Sequence, residues 1–315
     1  SDLAATGTIS KKELTVEWTN GGSSYVYDKQ PHGVTVRVTG MVGGYEENIF
    51  VTGNNVENTV LDAPNAEFSS VDAAHYSVSL SLKTDSDYSF VDAVTFAEWT
   101  ISKRLLAVSW IKDTLADGKY VYPWEEFSVT YSGITRSVVP VINDNNIVSG
   151  DDVSLTVTGS AYTDAGSYLS KITVLAGADA KNYSLPATTE QAWEIKKAEI
   201  VGITMSSLTA VYNGAAQGVE LNSYLTQHGE PINAVYSGGS AKTASTIGGN
   251  NAIIDVGTAT ITVSVAETKN YLPLTGITAT VTITKADITG LTLSSRNEIY
   301  AKTYYSVTLS GEYTQ

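Results

Sequence analysis

Four lysines recur along the chain at a spacing that could support cross-linking chemistry. Each follows an isoleucine by two residues, and the pairs are Ile9 and Lys11, Ile101 and Lys103, Ile195 and Lys197, and Ile283 and Lys285. An isopeptide bond would join such a lysine to an Asn or Asp side chain beside a buried carboxylate. The recurring candidates are Asp87, Asn182 and Asn270 for the bond, and Asp72, Asp164 and Asp255 for the carboxylate.

The residues around these lysines favour a simpler interpretation. A lysine buried for cross-linking would need a strongly lowered pKa, and its neighbours are not apolar enough to provide one. A lysine at the end of a strand can instead keep its ammonium group in water and lay its stem on the surface. We therefore predict solvated lysines at the repeat junctions and no isopeptide bond.

One loop offers enough oxygen atoms to bind a calcium ion. Calcium prefers six to eight oxygen ligands, and the loop carries Asn143, Asp144, Asn145, Asn146, Asp151 and Asp152. The spacing does not match an EF-hand, and the cluster does not recur elsewhere in the sequence. The same residue types are typical of polar loops with Asx turns. The sequence leaves calcium binding by the Asn143–Asp152 loop open, and we assign no metal site.

Residues suited to catalysis are sparse. The three histidines, His32, His75 and His228, lie at unrelated points of the chain. No G-x-S-x-G elbow, phosphate-binding loop or H-E-x-x-H motif is present. Glu125 and Glu126 are adjacent, so on a strand they would point to opposite faces, which is poor geometry for paired carboxylates. We predict that the chain is not an enzyme, has no catalytic residues and needs no cofactor.

The aromatic residues, 19 tyrosines and five tryptophans, could build a platform for stacking sugars. Trp99 and Trp193 each precede an Ile-x-Lys isoleucine by two residues. On a strand this spacing places tryptophan and isoleucine on one face, which indicates core positions. Trp124 and the Tyr304-Tyr305 pair are less clearly core, so direct recognition of a ligand stays open as an alternative.

The Ile-x-Lys phrases mark a repeat. The intervals between their isoleucines are 92, 94 and 88 residues. A nearly regular period of this kind indicates a repeated structural unit. A tyrosine follows each phrase, at Tyr27, Tyr122, Tyr212 and Tyr300. We interpret the chain as a piece of a longer protein: a closing strand at 1–10, repeats at 11–103, 104–197 and 198–285, and the opening part of a fourth repeat at 286–315.

Alternation of apolar and polar residues predicts strands in every repeat. Val34, Val36 and Val38 alternate with polar neighbours, as do Ile261 and Val263. No stretch combines a helical period with capping residues, and clusters of Asn, Asp and Gly suit turns. The period is about right for an immunoglobulin-like sandwich of about 100 residues. We predict an all-β fold of tandem immunoglobulin-like β-sandwiches.

Two tyrosines fit a structural role in such sandwiches. In a tyrosine corner, a tyrosine near the start of strand F bonds back to backbone a few residues upstream. Tyr76 and Tyr168 each lie four residues after an aspartate, in matching positions of their repeats. The third repeat has Ala259 there, so its corner must close in another way.

Composition narrows the range of partners. A formal net charge of -14 disfavours nucleic acid, whose binding depends on Lys and Arg. Secreted eukaryotic sandwiches usually carry a disulfide, and the lack of cysteine indicates a bacterial or an intracellular chain. No apolar run approaches the roughly 20 residues of a membrane helix. We predict a monomer without a nucleic-acid partner or a membrane span.

The passage between repeats carries no flexible spacer. From Trp99 to Trp110 the chain moves from one predicted strand to the next without a run of Gly, Ser or Pro. The flexible-linker regime does not apply to such a connection, so bending between repeats should be limited. We predict an elongated rod.

The chain resembles the bacterial Ig-like repeats of large surface proteins, especially the groups called MBG and YDG. Tyr212-Asn213-Gly214 is similar to the Tyr-Asp-Gly turn of the latter group, whereas Tyr27-Asp28 is followed by Lys29 where a glycine would be expected. The segment 199–204 and its copy at 287–292 look like the opening of such repeats. Asn182-Tyr183 and Asn270-Tyr271 also fit.

This resemblance implies an extracellular location on the bacterial cell surface. We expect a structural stalk segment of a cell-surface or secreted protein, which spaces a functional region from the cell. The alternative is an adhesin segment that itself binds a host surface protein or a glycan.

Overall fold

The computed structural model describes residues 7–42, 48–54, 56–61, 63–91, 94–113, 124–245 and 248–311. Within these ranges the regular structure is almost entirely β, which confirms the all-β prediction. The helices described there are two 3-10 helices of three residues, Asp144–Asn146 and Ala180–Asn182. No helix in these ranges is long and apolar enough to cross a membrane.

The chain forms two compact units. The first consists of Ser1–Asp113, Ser137–Ser160 and Tyr168–Ala192. The second consists of Thr114–Arg136, Ala161–Ser167 and Trp193–Gln315. The second sequence repeat is therefore divided between the two units.

Two sheets of the first unit are built from the first repeat. Its strands are β1 (Lys12–Thr19), β2 (Ser23–Val26), β3 (His32–Thr39), β4 (Ile49–Asn54), β5 (Val56–Val60), β6 (Asn65–Ser70), β7 (Ala74–Leu82), β8 (Tyr88–Phe90) and β9 (Phe96–Ser102). One sheet has the order β6-β3-β1-β8 and the other β2-β9-β7-β4-β5. The pairs β1-β8 and β2-β9 are parallel, and the other neighbours are antiparallel.

A single core lies between these two sheets. Alternation directs Val34, Val36 and Val38 of β3 inward, where all three are buried. Trp99 and Ile101 of β9 are buried in the same cluster. The alternating pattern of the sequence thus becomes the inner face of a two-layer arrangement, since successive strand residues point to opposite sides.

The strands of the second repeat are shared between the units. They are β10 (Arg104–Leu105), β11 (Val108–Lys112), β12 (Ser128–Thr130), β13 (Arg136–Ile142), β14 (Ser154–Thr158), β15 (Ala161–Tyr162), β16 (Gly166–Ala176), β17 (Tyr183–Ser184) and β18 (Glu190–Lys196). In the first unit β11 pairs antiparallel with β13, β14 antiparallel with β16, and β10 parallel with β17. In the second unit β12 pairs parallel with β18.

The second unit also contains the third repeat. Its strands are β19 (Leu208–Val211), β20 (Gln217–Gly218), β21 (Ala234–Ser237), β22 (Ala252–Ile253), β23 (Gly257–Val265) and β24 (Leu274–Thr284), followed by β25 (Thr292–Leu293) and β26 (Leu309–Ser310). The main sheet has the order β19-β24-β23-β21, and β20 pairs with β22. Ile261, Val263 and Val281 are buried in its core. The β25-β26 pair is exposed.

Two parallel contacts recur and define equivalent positions. At the start of each repeat the paired residues are Lys12 with Tyr88, Arg104 with Tyr183, and Ala198 with Tyr271. At the recurring isoleucine they are Tyr25 with Ile101, Val129 with Ile195, and Ala210 with Ile283. These registers show which residues of one repeat correspond to which residues of the next.

The registers change which tyrosine of the second repeat corresponds to Tyr27 of the first. The backbone N–H of Tyr27 donates to Ser102 O, that of Tyr131 to Lys196 O, and that of Tyr212 to Thr284 O. Tyr131 therefore corresponds to Tyr27, whereas Tyr122, which the sequence pattern selected, lies outside the described residues. Tyr131 lies 30 residues after Ile101, whereas Tyr27 lies 18 residues after Ile9. The second repeat has additional residues before β12, and these move its tyrosine away from the position that the repeat spacing predicts.

Candidate functional site: the repeat junctions

The recurring isoleucines and lysines lie in different environments. Three of the four recurring isoleucines are each 1% exposed, namely Ile101, Ile195 and Ile283, whereas Ile9 is 99% exposed. Of the four recurring lysines, three are exposed, namely Lys11, Lys103 and Lys285. Lys197 is half-buried and its Nζ donates to Glu267 Oε1 and to Thr268 O, at 2.5 Å each. Three lysines are therefore solvated, and the fourth is held by a carboxylate and a carbonyl oxygen.

A buried asparagine joins the first and second repeats within the first unit. Asn182 Oδ1 accepts a hydrogen bond from Ala73 N–H at 2.8 Å, and Asn182 Nδ2 donates to Asp72 Oδ1 at 3.0 Å. Lys181 Nζ donates to the other oxygen, Asp72 Oδ2, at 2.6 Å. The bonds from Lys181 and then Asn182 lower the pKa of Asp72. The carboxylate of one repeat is therefore held, in its charged form, by the Lys-Asn dipeptide of the next.

A buried carboxylate, Asp151, forms the second part of this junction. Its side chain is 0% exposed. The Tyr183 hydroxyl donates to Asp151 Oδ2 at 2.7 Å, and Lys29 Nζ donates to Asp151 Oδ1 at 2.7 Å. The Tyr27 hydroxyl also bonds to this side chain. The rings of Tyr27 and Tyr183 meet edge to face, with centroids 5.5 Å apart, in the arrangement that aromatic pairs prefer.

These contacts fix the protonation states of the groups. Burial pushes the pKa of Asp151 upward, but the bonds from Lys29, Tyr183 and Tyr27 outweigh it, so that the net shift lowers the pKa. Burial, followed by the bond to Asp151, raises the pKa of Tyr183 to about 12. Burial and the same carboxylate also raise the pKa of Tyr27. At neutral pH the two hydroxyls are donors and Asp151 is an acceptor.

A short 3-10 helix positions the asparagine. The helix Ala180–Asn182 is closed by a bond from Asn182 N–H to Asp179 O at 3.0 Å. Asp179 also accepts from Asp152 N–H, through Oδ2 at 2.9 Å, while Asp152 Oδ2 accepts from Ala178 N–H at 3.1 Å. The two aspartates thus tie the turn before the asparagine to the loop that carries the buried carboxylate, by the side-chain-to-backbone bonds typical of this residue.

The second unit contains the same junction between the second and third repeats. Asn270 Oδ1 accepts from Ala165 N–H at 2.9 Å, and Asn270 Nδ2 donates to Asp164 Oδ1 at 3.2 Å. Lys269 Nζ donates to Asp164 Oδ2. The bonds from Lys269 and then Asn270 lower the pKa of Asp164. The four residues correspond one by one to those of the first junction.

The aromatic part of the junction is also repeated, with one change. The rings of Tyr131 and Tyr271 meet edge to face at 5.5 Å. The carboxylate here is Glu230, which accepts from the Tyr131 hydroxyl and, at 3.1 Å, from Asn270 Nδ2. His228 packs against both tyrosine rings, with centroids 5.8 and 6.4 Å away. At each junction a carboxylate therefore bonds to the tyrosine of the preceding repeat. Asp151 bonds to Tyr27 and Glu230 bonds to Tyr131, and the two carboxylates occupy different positions within their repeats.

The sequence contained a signal for these junctions. The tripeptide Lys181-Asn182-Tyr183 recurs as Lys269-Asn270-Tyr271. The sequence pattern offered Asn182 and Asn270 as cross-linking candidates for the recurring lysines. In the structure the lysines that contact Asp72 and Asp164 are instead Lys181 and Lys269, each next to its asparagine.

The two tyrosines assigned to corners differ in environment. The Tyr76 hydroxyl donates to Asp72 O at 2.7 Å, four residues upstream, and its ring stacks on Trp99 with centroids 5.2 Å apart. This is the geometry that defines a tyrosine corner. Because Asp72 also belongs to the first junction, the corner and the junction meet at one residue. Tyr168 is half-buried.

The oxygen-rich loop is largely occupied by protein hydrogen bonds. Asp151 lies in the first junction, Asp152 accepts from backbone, and Asn143 Oδ1 accepts from Ser109 Oγ at 2.9 Å. Within the described residues no group of three or more His, Asp or Glu side chains is arranged to hold a metal. The loop acts in the structure as part of the junction.

The histidines and tryptophans do not converge on one place. His32 bonds to Asp28 at 2.9 Å and His75 to Thr100 at 3.1 Å, both in the first unit, whereas His228 belongs to the second unit. The buried tryptophans are Trp99 and Trp193. Trp124 is half-buried against Trp193, and Arg136 lies over its ring. Tyr304 is exposed, and the Tyr305 hydroxyl donates to Ile299 O at 3.0 Å.

No protein family model and no curated protein matches the sequence. Among solved structures, the chain is similar to fibronectin(III)-like modules of Clostridium thermocellum CbhA, at 7% identity over 86% of this chain and 94% of that chain, with a TM-score of 0.19. It is also similar to SGBP-B of the Bacteroides ovatus mixed-linkage glucan utilization locus, in complex with a heptasaccharide, at 10% identity over 88% and 70% of the two chains, with a TM-score of 0.18. Likenesses this slight carry no argument about function.

Proposed function

We propose that the chain is a structural stalk segment of a bacterial cell-surface or secreted protein, built from tandem immunoglobulin-like repeats. Its role is to hold a functional region away from the cell. The observation that carries this proposal is the duplicated junction, in which Asp72 and Ala73 contact Asn182, as Asp164 and Ala165 contact Asn270. A chain that only needed to connect folded repeats could use a flexible linker.

The chemistry of the junction suits a mechanical role. Each asparagine is buried and uses both its donor and its acceptor across the junction, and buried bonds of this kind are costly to break without replacement. The paired tyrosine rings add apolar area in the arrangement that aromatic pairs favour. The resemblance to MBG and YDG repeats supports the same role and an extracellular location.

Small-angle scattering tests the stalk directly. We expect a maximum dimension of about 100–120 Å for three repeats, since strands of about ten residues rise ~3.3 Å per residue. In Asn182→Asp the amide donor is lost and two carboxylates face each other, so the first junction should loosen. The distribution of dimensions should then broaden relative to the parent chain.

Asn65→Asp provides the matched control, since it adds the same charge at an exposed position of β6. Its scattering profile should equal that of the parent chain. A compact parent particle, with repeats folded back on each other, would contradict the stalk. Equal profiles for the parent and Asn182→Asp would show that the junction does not restrict bending.

A further inference from the structure

The third repeat carries a counterpart of one half of the same junction. Tyr212 corresponds to Tyr27 and Tyr131, because all three donate a backbone N–H to the residue after the recurring isoleucine. Gly257 pairs with Ile283 as Ala74 pairs with Ile101. Asp255 and Val256 therefore stand where Asp72 and Ala73 stand in the first repeat.

This half differs from its two counterparts in its exposure. Tyr27 and Tyr131 are buried, whereas Tyr212 is half-buried and Asp255 is exposed. Val256 is 47% exposed. These residues line a cavity of about 310 Å³, together with Lys285, Ala286, Asp287 and Ile288. Within the described residues, the carboxylate, the backbone N–H and the tyrosine ring of a junction are thus present without the asparagine that contacts them in the other two repeats.

The first repeat carries a counterpart of the complementary half. Tyr88 pairs with Lys12 as Tyr271 pairs with Ala198, so that Ser86-Asp87-Tyr88 stands where Lys269-Asn270-Tyr271 stands in the third repeat. Asp87 and Tyr88 line a cavity of about 530 Å³ with Ile9, Ser10, Lys11, Lys12 and Val42. Serine replaces the lysine here, and aspartate replaces the asparagine.

These two replacements change what the first repeat can contact. An asparagine offers one donor and one acceptor, whereas an ionised aspartate only accepts. Asp87 could accept from a backbone N–H but could not donate to Asp255, and the two carboxylates would repel each other. Ser86 removes the lysine that neutralises the corresponding carboxylate at both occupied junctions.

We propose that Tyr212, Asp255 and Val256 form a docking surface for the Lys-Asn-Tyr loop of a further β repeat. Ser86 and Asp87 prevent the chain's own first repeat from occupying this surface, and so prevent head-to-tail association. The argument rests on the contacts of the two occupied junctions and is independent of the stalk role.

The proposal can be tested by introducing the Lys-Asn-Tyr sequence into the first repeat, so that one copy of the chain can dock on another. S86K/D87N places Lys-Asn-Tyr on the first repeat, where Asp87 is exposed and Ser86 is buried. We expect the parent chain to sediment as a monomer at every concentration. The variant should form dimers and longer species as its concentration rises. D87N alone restores the asparagine at the exposed position without changing the buried one, and it should also associate, more weakly, as its concentration rises. The amide resonance of Val256, which corresponds to the Ala73 N–H bound by Asn182, should shift with concentration in these variants but not in the parent chain.

Two further variants separate docking from non-specific association. Adding Asp255→Lys to S86K/D87N removes the acceptor and opposes the new lysine, so the chain should again be monomeric. Adding Asp287→Lys instead makes the same charge change in the lining of the same cavity, and association should persist. A variant S86K/D87N that stays monomeric with an unmoved Val256 resonance would overturn the docking surface. If the parent chain associates, and Asp255→Lys in the parent chain abolishes that association, then Ser86 and Asp87 do not prevent docking and their proposed role is overturned.

Discussion

At the scale of single residues, hydroxyls of buried tyrosines form hydrogen bonds to residues between 4 and 32 positions away in the sequence. The Tyr183 hydroxyl bonds to Asp151, that of Tyr76 to Asp72 O, and that of Tyr236 accepts from Leu221 N–H at 3.0 Å. Each ring also contributes apolar area that would remain if the hydroxyl were removed. The contribution of the bond can therefore be measured separately from the contribution of the ring.

Tyr76→Phe should lower the free energy of unfolding of the first unit by about 1–3 kcal/mol, because the part-buried carbonyl oxygen of Asp72 loses its donor while the stacked ring is kept. Chemical denaturation at neutral pH measures the change. Tyr300→Phe, at an exposed tyrosine, is the control and should leave stability unchanged. Equal stability of Tyr76→Phe and the parent chain would show that the corner contributes nothing.

At the scale of strands, a buried serine links two sets of strands of the second repeat. Ser170 Oγ, on β16, donates to Val138 O, on β13, at 2.8 Å. Because β13 pairs with β11 and β16 with β14, the bond connects strands that share no ladder with each other. The corresponding residues Val78 and Ile261 are buried and apolar. The second repeat therefore uses a polar link where the others use packing.

Ser170→Ala should destabilise the first unit by about 1–3 kcal/mol, since the buried acceptor on β13 loses its partner. Ser149→Ala removes the same group from an exposed position and should have no effect. Both variants can be compared by urea denaturation, with hydrogen exchange of the β13 amides as a local readout. Unchanged exchange and stability in Ser170→Ala would show that packing alone holds these strands together.

At the scale of the whole molecule, ionisable groups at the junctions connect stability to pH. The pKa values of Asp72, Asp151 and Asp164 are lowered in the folded chain, so their contribution is present above the ordinary aspartate value of 3.8 and is lost as the pH falls below it. The pKa of Tyr183 is raised to about 12, so its contribution is present below 10.0 and is lost as the pH rises toward 12. In the second junction, burial and then the bond to Glu230 raise the pKa of Tyr131. The stability of each junction is therefore sensitive to both acid and base.

We expect the free energy of unfolding to reach a plateau between about pH 5 and 9 and to fall on both sides, because folded and unfolded states bind different numbers of protons there. Denaturation at a series of pH values measures the profile. Asp72→Asn/Asp164→Asn removes two of the titrating carboxylates and should flatten the acid side while leaving the alkaline side in place. An acid side of unchanged slope in this variant would show that the junction carboxylates are not responsible.

Local patterns in the sequence identified much of the fold. Alternation placed Val34, Val36 and Val38 on one face of a strand, and the spacing of Trp99 from Ile101 placed both on one face, because strand geometry repeats every two residues. The all-β class followed from the same patterns. The spacing along the chain was a poorer guide. It selected Tyr122 as the counterpart of Tyr27, whereas the counterpart is Tyr131, because the second repeat has additional residues before β12.

The junctions could not be derived in the same way. Asp72 and Asn182 are 110 residues apart in sequence, and neither strand periodicity nor turn chemistry connects them. Their contact depends on where two folded repeats meet. The sequence analysis identified the recurring pairs Asn182-Tyr183 and Asn270-Tyr271. The preceding lysines and the partners of both asparagines are assigned only by the three-dimensional structure.

The two halves of each junction are unlike, and this has a consequence for the gene. One half carries Asp72-Ala73 or Asp164-Ala165, and the other carries the Lys-Asn-Tyr tripeptide. Contacts between unlike halves can continue indefinitely, whereas contacts between identical halves close after two copies. A tandem duplication of the second or the third repeat supplies one half of each kind, so it creates a complete new junction. Unequal recombination within these two repeats can therefore lengthen or shorten the protein by whole repeats without a compensating substitution.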